Sequence, residues 1–242
     1  MGSEAALGVD AGTTNVKVVL VDGDGNLSAM AHRQLASRIE GEIGEQDAAA
    51  TWLAVKEAVA EVTGAAPAVA ATVGSIGVCS QYSSIVPVDE SGEPVAPMVM
   101  WTDKRGTDHS FELLMASDDA MEIWVDRHGI PPVGGGLALA HMLHLQRDRP
   151  EVHARTATWL ESMDFINMRL TGQVAANQAT MFMSQLCDNR ELGVTDYDSL
   201  LVEMSTLDAD RLPNLRGFDE PVGHLATEVA SELGLPAGAV VY

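Results

Sequence analysis

Five residues near the start of the chain have types and spacing suited to phosphate chemistry: Asp10-x-Gly12-Thr13-Thr14-x-x-Lys17. Gly12 has no Cβ, so neighbouring backbone N–H groups can approach an oxyanion closely. The Thr13 and Thr14 hydroxyls can donate to phosphate oxygens. Asp10, at a strand end, can hold Mg²⁺ through water, because magnesium keeps much of its hydration shell. Lys17 supplies a point cation for a transferring phosphoryl group. The same run also makes a good hairpin turn with no ligand at all. What favours the chemical reading is scarcity: the chain has only three lysines, and one stands here.

The elements that position this loop are strands. Ala5 to Val9 is short and apolar, and Val16, Val18 and Leu20 alternate after the loop. Asp22 to Asn26 is a turn signal, and Leu27 to Leu35 returns as a third strand, giving an antiparallel meander. A loop that joins strand to strand is neither a Walker A loop nor a Rossmann fingerprint, since both of those open a helix. Asp47 caps an expected helix carrying Trp52, Val55, Val59 and Val62, with Gly64 at its end. Ala65 to Ala71 reads as a linker. Strands are expected at Val73–Cys79, Ile85–Val88 and Val99–Trp101. Helices are expected near 103–116, 118–128, 137–147, 162–171, 196–204 and 224–233, with Gly238 to Tyr242 opening another strand.

Composition narrows the function classes. The 242 residues are 46% hydrophobic and 20% charged, the balance of a folded protein. With 14 Lys+Arg against 35 Asp+Glu, the net charge is −21. Such a field repels phosphate backbones and anionic lipid, which argues against nucleic acid and membrane partners. No apolar run is long enough to cross a membrane, and Met1-Gly2-Ser3-Glu4 opens no basic-then-apolar leader. Cys79 and Cys187 lie far apart and have no zinc spacing, so reduced thiols and a cytoplasmic setting are expected. His141 and His144 share a helix face but lack a third ligand, and a structural role is expected for them.

Three further segments, together with the front loop, resemble the FGGY family of carbohydrate kinases, within the actin-like ATPase superfamily. They are Gly77-Val78-Cys79-Ser80-Gln81, similar to a Gly-x-x-x-Gln substrate loop; Trp101-Thr102-Asp103-Lys104-Arg105, similar to Trp-x-Asp-x-Arg; and Asp164-Phe165 with Leu170-Thr171-Gly172, similar to an Asp-aromatic helix and its exit. The resemblance spans the whole chain and implies an α/β, RNase H-like fold: a mixed five-stranded sheet with helices and a helical insertion.

The resemblance also implies ATP- and Mg²⁺-dependent transfer of a γ-phosphoryl group to a sugar or polyol hydroxyl. By position, Asp10 would order the metal, and Gly12, Thr13, Thr14 and Lys17 would contact phosphate. Gln81, Tyr82, Trp101, Asp103, Arg105 and Asp164 would line the sugar pocket. Residues 1–242 correspond to the N-terminal, sugar-binding half of the family. The nucleotide-binding half, which clamps ATP, and the expected catalytic Asp lie beyond Tyr242. The 242 residues alone are therefore expected to be inactive. The alternative is a stand-alone half-kinase that senses sugar or binds a partner, and a homodimer is the default assembly.

Departures from the family pattern bear on the substrate. Xylulose-kinase-like members usually place Met-His after the Gln, where this chain has Tyr82-Ser83. His141 stands where Lys is common, and Ala175 to Thr180 replaces a Thr-Asp run.

Overall fold

The computed structural model describes residues 4–242; the leader reading at Met1 to Ser3 lies outside them. The meander forms as its alternation predicts. β1 (Ala5–Ala11), β2 (Asn15–Val21) and β3 (Leu27–Gln34) pair antiparallel in sequence. Leu7, Val9, Ala11, Val16, Val18 and Leu20 all point inward and are essentially inaccessible. The turn between β2 and β3 closes on Asp22, whose Oδ1 accepts from the backbone N–H groups of Asp24 (3.0 Å) and Asn26 (2.9 Å).

Two short strands follow, β4 (Ser37–Glu40) and β5 (Ile43–Gln46), and then α1 (Ala48–Ala65). Asp47 caps α1 by accepting from the Ala50 N–H at 3.0 Å. Trp52, Val55, Val59 and Val62 are buried within the core beneath the meander. The helix runs one residue past Gly64, and the expected linker is partly helical. Pro67 opens α2 (Pro67–Ala70), where its missing N–H costs nothing at a first helical turn. β6 (Val73–Ser80) then lies parallel to β1.

The second half of the chain runs β7 (Ile85–Val88), β8 (Met98–Val99), α3 (Thr107–Leu114), α4 (Ala120–Arg127), α5 (Ala138–Asp148), α6 (Pro150–His153), β9 (Thr158–Glu161), α7 (Ser162–Thr171) and β10 (Ala176–Asn177). It ends with α8 (Ser199–Ser205), β11 (Leu215–Arg216), β12 (Gly223–His224), α9 (Thr227–Leu233) and β13 (Val240–Val241). α7 stops where Gly172 takes a left-handed φ of 74°, a conformation glycine adopts without a Cβ clash.

The main sheet has the order β12-β13-β6-β1-β2-β3: the five expected strands plus a two-residue sixth at the edge. A second sheet, β4-β5-β8-β7-β9, was not expected from the sequence. It packs with α5 over a second core that includes Trp124, Trp159, Leu139, Met142 and Leu143. The strand expected at Val99–Trp101 stops at Val99, because the Asp103 N–H turns back onto the Met100 carbonyl at 2.8 Å. Both cysteines are free thiols. Among the described residues no helix is long and apolar enough to cross a membrane.

Candidate functional site

The front loop is the tight connection between β1 and β2. The Gly12 N–H donates to the Asn15 carbonyl at 3.0 Å, and the Thr14 carbonyl accepts from Leu35 N–H at 2.8 Å. The backbone thus fixes the loop, and the Thr14 side chain stays exposed. Asp10 and Lys17 are direct cross-strand partners, with Nζ 3.5 Å from Oδ2. Both side chains stand substantially in solvent, at the edge of an apolar groove of about 510 Å³ along the outer face of β1, β2 and β6.

Asp10 fits a hard, hydrated cation. It offers an open, acceptor-only carboxylate beside a loop of backbone and hydroxyl donors. No three His, Cys, Asp or Glu side chains converge among the described residues. A Mg²⁺ here would therefore rest on Asp10, water and phosphate oxygens, the way magnesium is commonly held.

Behind this loop sits the turn after β6. The Gln81 N–H donates to the Ala11 carbonyl at 2.9 Å, so the two loops share one sheet end. Ser83 takes a left-handed φ of 50°, anchored by its hydroxyl donating to the Gly136 carbonyl at 2.8 Å. Buried Gln46, which the sequence reading did not single out, bridges the two loops. Its Nε2 donates to the Thr13 carbonyl (2.9 Å), and its Oε1 accepts from Gln81 Nε2 (2.9 Å).

A second link comes from Trp101, whose indole Nε1 donates to Thr13 Oγ1 at 3.2 Å. Trp101 stacks on Tyr82, with ring centroids 6.1 Å apart and planes 21° from parallel. Both rings are partly open to solvent, an arrangement suited to the apolar face of a sugar.

Asp103 and Arg105 are placed differently. Asp103 is fully buried, and its oxygens accept from Gly44 N–H (2.8 Å), Arg105 N–H (3.0 Å) and the Arg105 guanidinium (2.7 Å). Burial alone would raise the Asp103 carboxyl. The guanidinium and the two backbone donors outweigh it and hold the group below the usual carboxylate range. Arg105 also reaches Glu45 at 2.7 Å. This pair pins β5, and hence Gln46, to the Trp101 segment.

A cleft of about 200 Å³ opens beside Gln81 and Tyr82, lined also by Ser80, Glu161, Met163 and Thr180. Glu161 was not identified from sequence. The only signal for it was an acid closing the apolar pair Trp159-Leu160 where β9 runs into α7. Its Oε2 accepts from Ser84 N–H at 2.9 Å. Burial, with the nearby charge of Asp164, pushes its carboxyl well above the ordinary value.

Asp164 itself lines a separate enclosed space of about 50 Å³ with Asn167, Asn177 and Arg216. Burial raises its carboxyl to about 8. The structure therefore gathers Asp10, Gly12, Thr13, Thr14, Lys17, Gln81, Tyr82 and Trp101 around one loop pair. Asp103 and Arg105 stand behind it, and Asp164 faces its own pocket.

Known proteins resemble this chain in sequence and fold. The profile described as "FGGY family of carbohydrate kinases, N-terminal domain" matches residues 5–242. The xylulose kinase of Staphylococcus epidermidis is 26% identical over 244 residues, covering 100% of this chain and 47% of that protein. The autoinducer-2 kinase of Salmonella choleraesuis is 26% identical, covering 97% of this chain and 44% of that protein. The crystal structure of xylulose kinase from Rhodospirillum rubrum superposes with a TM-score of 0.89 at 26% identity, over 98% of this chain and 48% of that one. The chain thus spans about half the length of the curated relatives it matches. With the profile matched along nearly the whole chain, over the same loops that build the site, this chain belongs to the FGGY family of carbohydrate kinases, in the region of their N-terminal domain.

Proposed function

We propose that these residues form the sugar-binding half of an ATP- and Mg²⁺-dependent kinase that phosphorylates a sugar or polyol hydroxyl. One observation supports this most: two separate segments are tied to Thr13 of the front loop, Trp101 directly through its indole N–H and Gln81 through the bridging amide of Gln46. A hydroxyl seated against Gln81, Tyr82 and Trp101 would lie next to the donors of that loop.

In this reading Gly12, Thr13, Thr14 and Lys17 receive the γ-phosphoryl oxygens, with positioning and charge stabilisation as the main catalytic contributions. A magnesium ion at Asp10 would supply further neutralisation of the phosphate oxygens. Asp103 and Arg105 act at one remove, by holding β5 and the Trp101 turn in place. The acceptor hydroxyl must lose a proton, and the family resemblance puts the base for that beyond Tyr242. The 242 residues by themselves are therefore expected to bind sugar without turnover.

The test begins with the intact protein as its source cell makes it: its mass, then ADP release with D-xylulose, xylitol, glycerol and D-gluconate. Sugar-dependent ADP release by the intact protein, absent from residues 1–242, is the expected result. Turnover by residues 1–242 alone would overturn the division of labour proposed here. Sugar binding without turnover by an intact protein of 25.6 kDa would favour the sugar-sensing alternative.

A further inference from the structure

We propose that Glu161 is a specificity-determining residue of the sugar cleft, selecting an uncharged polyol or ketose over an aldonate. The inference rests on the kinase reading above and deepens it.

The geometry carries the argument. Glu161 is 2% exposed, so its carboxyl is shielded from bulk water. One oxygen, Oε2, is held by the Ser84 N–H at 2.9 Å. The other, Oε1, has no hydrogen-bond partner, and neither does Gln81 Oε1, although both residues line the same cleft. A buried polar atom left unpaired is costly, so two such atoms on residues that line one cavity point to groups supplied by a ligand.

The chemistry of the pair defines those groups. Gln81 Oε1 is an amide oxygen and can only accept, while Nε2 of the same amide donates to Gln46. It therefore takes a hydroxyl hydrogen. Burial, with Asp164 nearby, pushes the Glu161 carboxyl well above its ordinary value and so favours the protonated form, whose free end could donate to a ligand oxygen or accept from a hydroxyl. Together they suit two oxygens of a sugar chain, at least one of them a hydroxyl.

A carboxylate is poorly served here. No Lys, Arg or His lines the cleft to neutralise it, and entry would set a charge beside the buried Glu161 carboxyl. Ser84 makes the placement rigid. Its N–H holds Glu161 while its hydroxyl donates to the Tyr82 carbonyl at 3.0 Å and accepts from the Trp101 N–H at 3.3 Å. The carboxyl is thereby tied to the backbone that carries both aromatic residues.

The experiment is an NMR titration of the 242-residue chain with xylitol and, separately, D-gluconate, followed on the Trp101 indole N–H, the group that donates to Thr13. Wild-type protein is expected to bind xylitol about tenfold more tightly than D-gluconate. Glu161→Leu should weaken xylitol binding about tenfold, while Glu161→Gln, which keeps a donor and an acceptor, should stay within about threefold of wild type.

Equal affinity for the two ligands overturns the inference and leaves the sugar site standing. So does xylitol binding unchanged in a folded Glu161→Leu. If Glu161→Leu does not fold, the wild-type ratio and Glu161→Gln decide. If neither ligand moves the Trp101 signal at any concentration, the sugar-site reading falls and this inference with it.

Discussion

The two sides of the site hold their acids in opposite ways. On the phosphate side, Asp10 stands in solvent, paired across the strands with Lys17, on a hairpin whose shape comes from the backbone. On the proposed sugar side, Glu161 is buried with one oxygen left without a partner, as is Asp164 in its separate pocket next to it. The difference suits two kinds of ligand. A phosphate brings its own charge and needs mobile counter-charge and open donors. A sugar hydroxyl brings none and, in the proposed reading, meets fixed groups that are largely buried. The contrast teaches that the two sides should fail differently: the sugar side through loss of packing and buried hydrogen bonds, the phosphate side through loss of function with little loss of stability.

The largest expected effect comes from glycines that look alike in sequence. A Cβ at Gly44 would collide with the Thr102 hydroxyl and come within 2.8 Å of the Asp103 backbone nitrogen. A Cβ at Gly12 would meet nothing nearer than the Asn15 carbonyl at 3.4 Å. Gly44→Ala should therefore destabilise the fold by about 2–3 kcal/mol, and Gly12→Ala by under about 1 kcal/mol, in urea unfolding. Equal losses would remove the distinction between a packed sugar side and an open phosphate loop.

Gln46 tests the bridge between the sides. Gln46→Leu leaves the Thr13 carbonyl and Gln81 Nε2 without their buried partner and should cost about 1–3 kcal/mol. Gln46→Glu keeps the acceptor for Gln81 but loses the donor to Thr13, so it separates the two contacts. If both variants bind xylitol as wild type does, the loops are held together by backbone alone.

How far the sequence reached follows the same division. The meander and its turn were legible because alternation and an Asp-Gly-rich turn are local signals, realised in the Ala6↔Val21 to Ala11↔Val16 register. The front loop was a local signal of the same kind, whereas Gln81, Tyr82 and Trp101 were picked out through the family resemblance. β9 was not, because Trp159, Leu160 and Glu161 are all buried and leave no alternation to read. β4 was not, because its four residues are all exposed. Nothing local could reveal that Asp103 accepts from the backbone of Gly44, 59 residues away. The burial that makes Glu161 informative likewise comes from segments distant in the chain.

Asp164 gives the contrast a pH signature. Burial raises its carboxyl to about 8 in the folded protein, far above the ordinary aspartate value of 3.8. Between those values the unfolded chain releases a proton that the folded chain keeps, so this group lowers stability as pH rises through the window. Asp164→Asn removes that dependence. The variant's stability relative to wild type should climb from about pH 5 to about pH 8, measured by urea unfolding at each pH. Parallel profiles for the two proteins would mean that Asp164 is ionised in the folded state.

The smallest stability effect should be at Lys17. The Asp10–Lys17 pair spans 3.5 Å, with side chains 60% and 44% exposed for Lys17 and Asp10. Water screens such a pair, and most are worth less than about 1 kcal/mol. Lys17→Met should leave the unfolding midpoint nearly unchanged and xylitol binding intact, because the hairpin is set by Gly12 N–H and the Ala5–Ala11 ladder rather than by this contact. Sugar-dependent ADP release by the intact protein should nonetheless fall, by about tenfold or more if Lys17 meets the transferring phosphoryl group. A Lys17→Met protein that unfolds early would show that the exposed pair holds the loop in shape. The phosphate side would then depend on side-chain packing as the sugar side does, and the contrast between them would be lost.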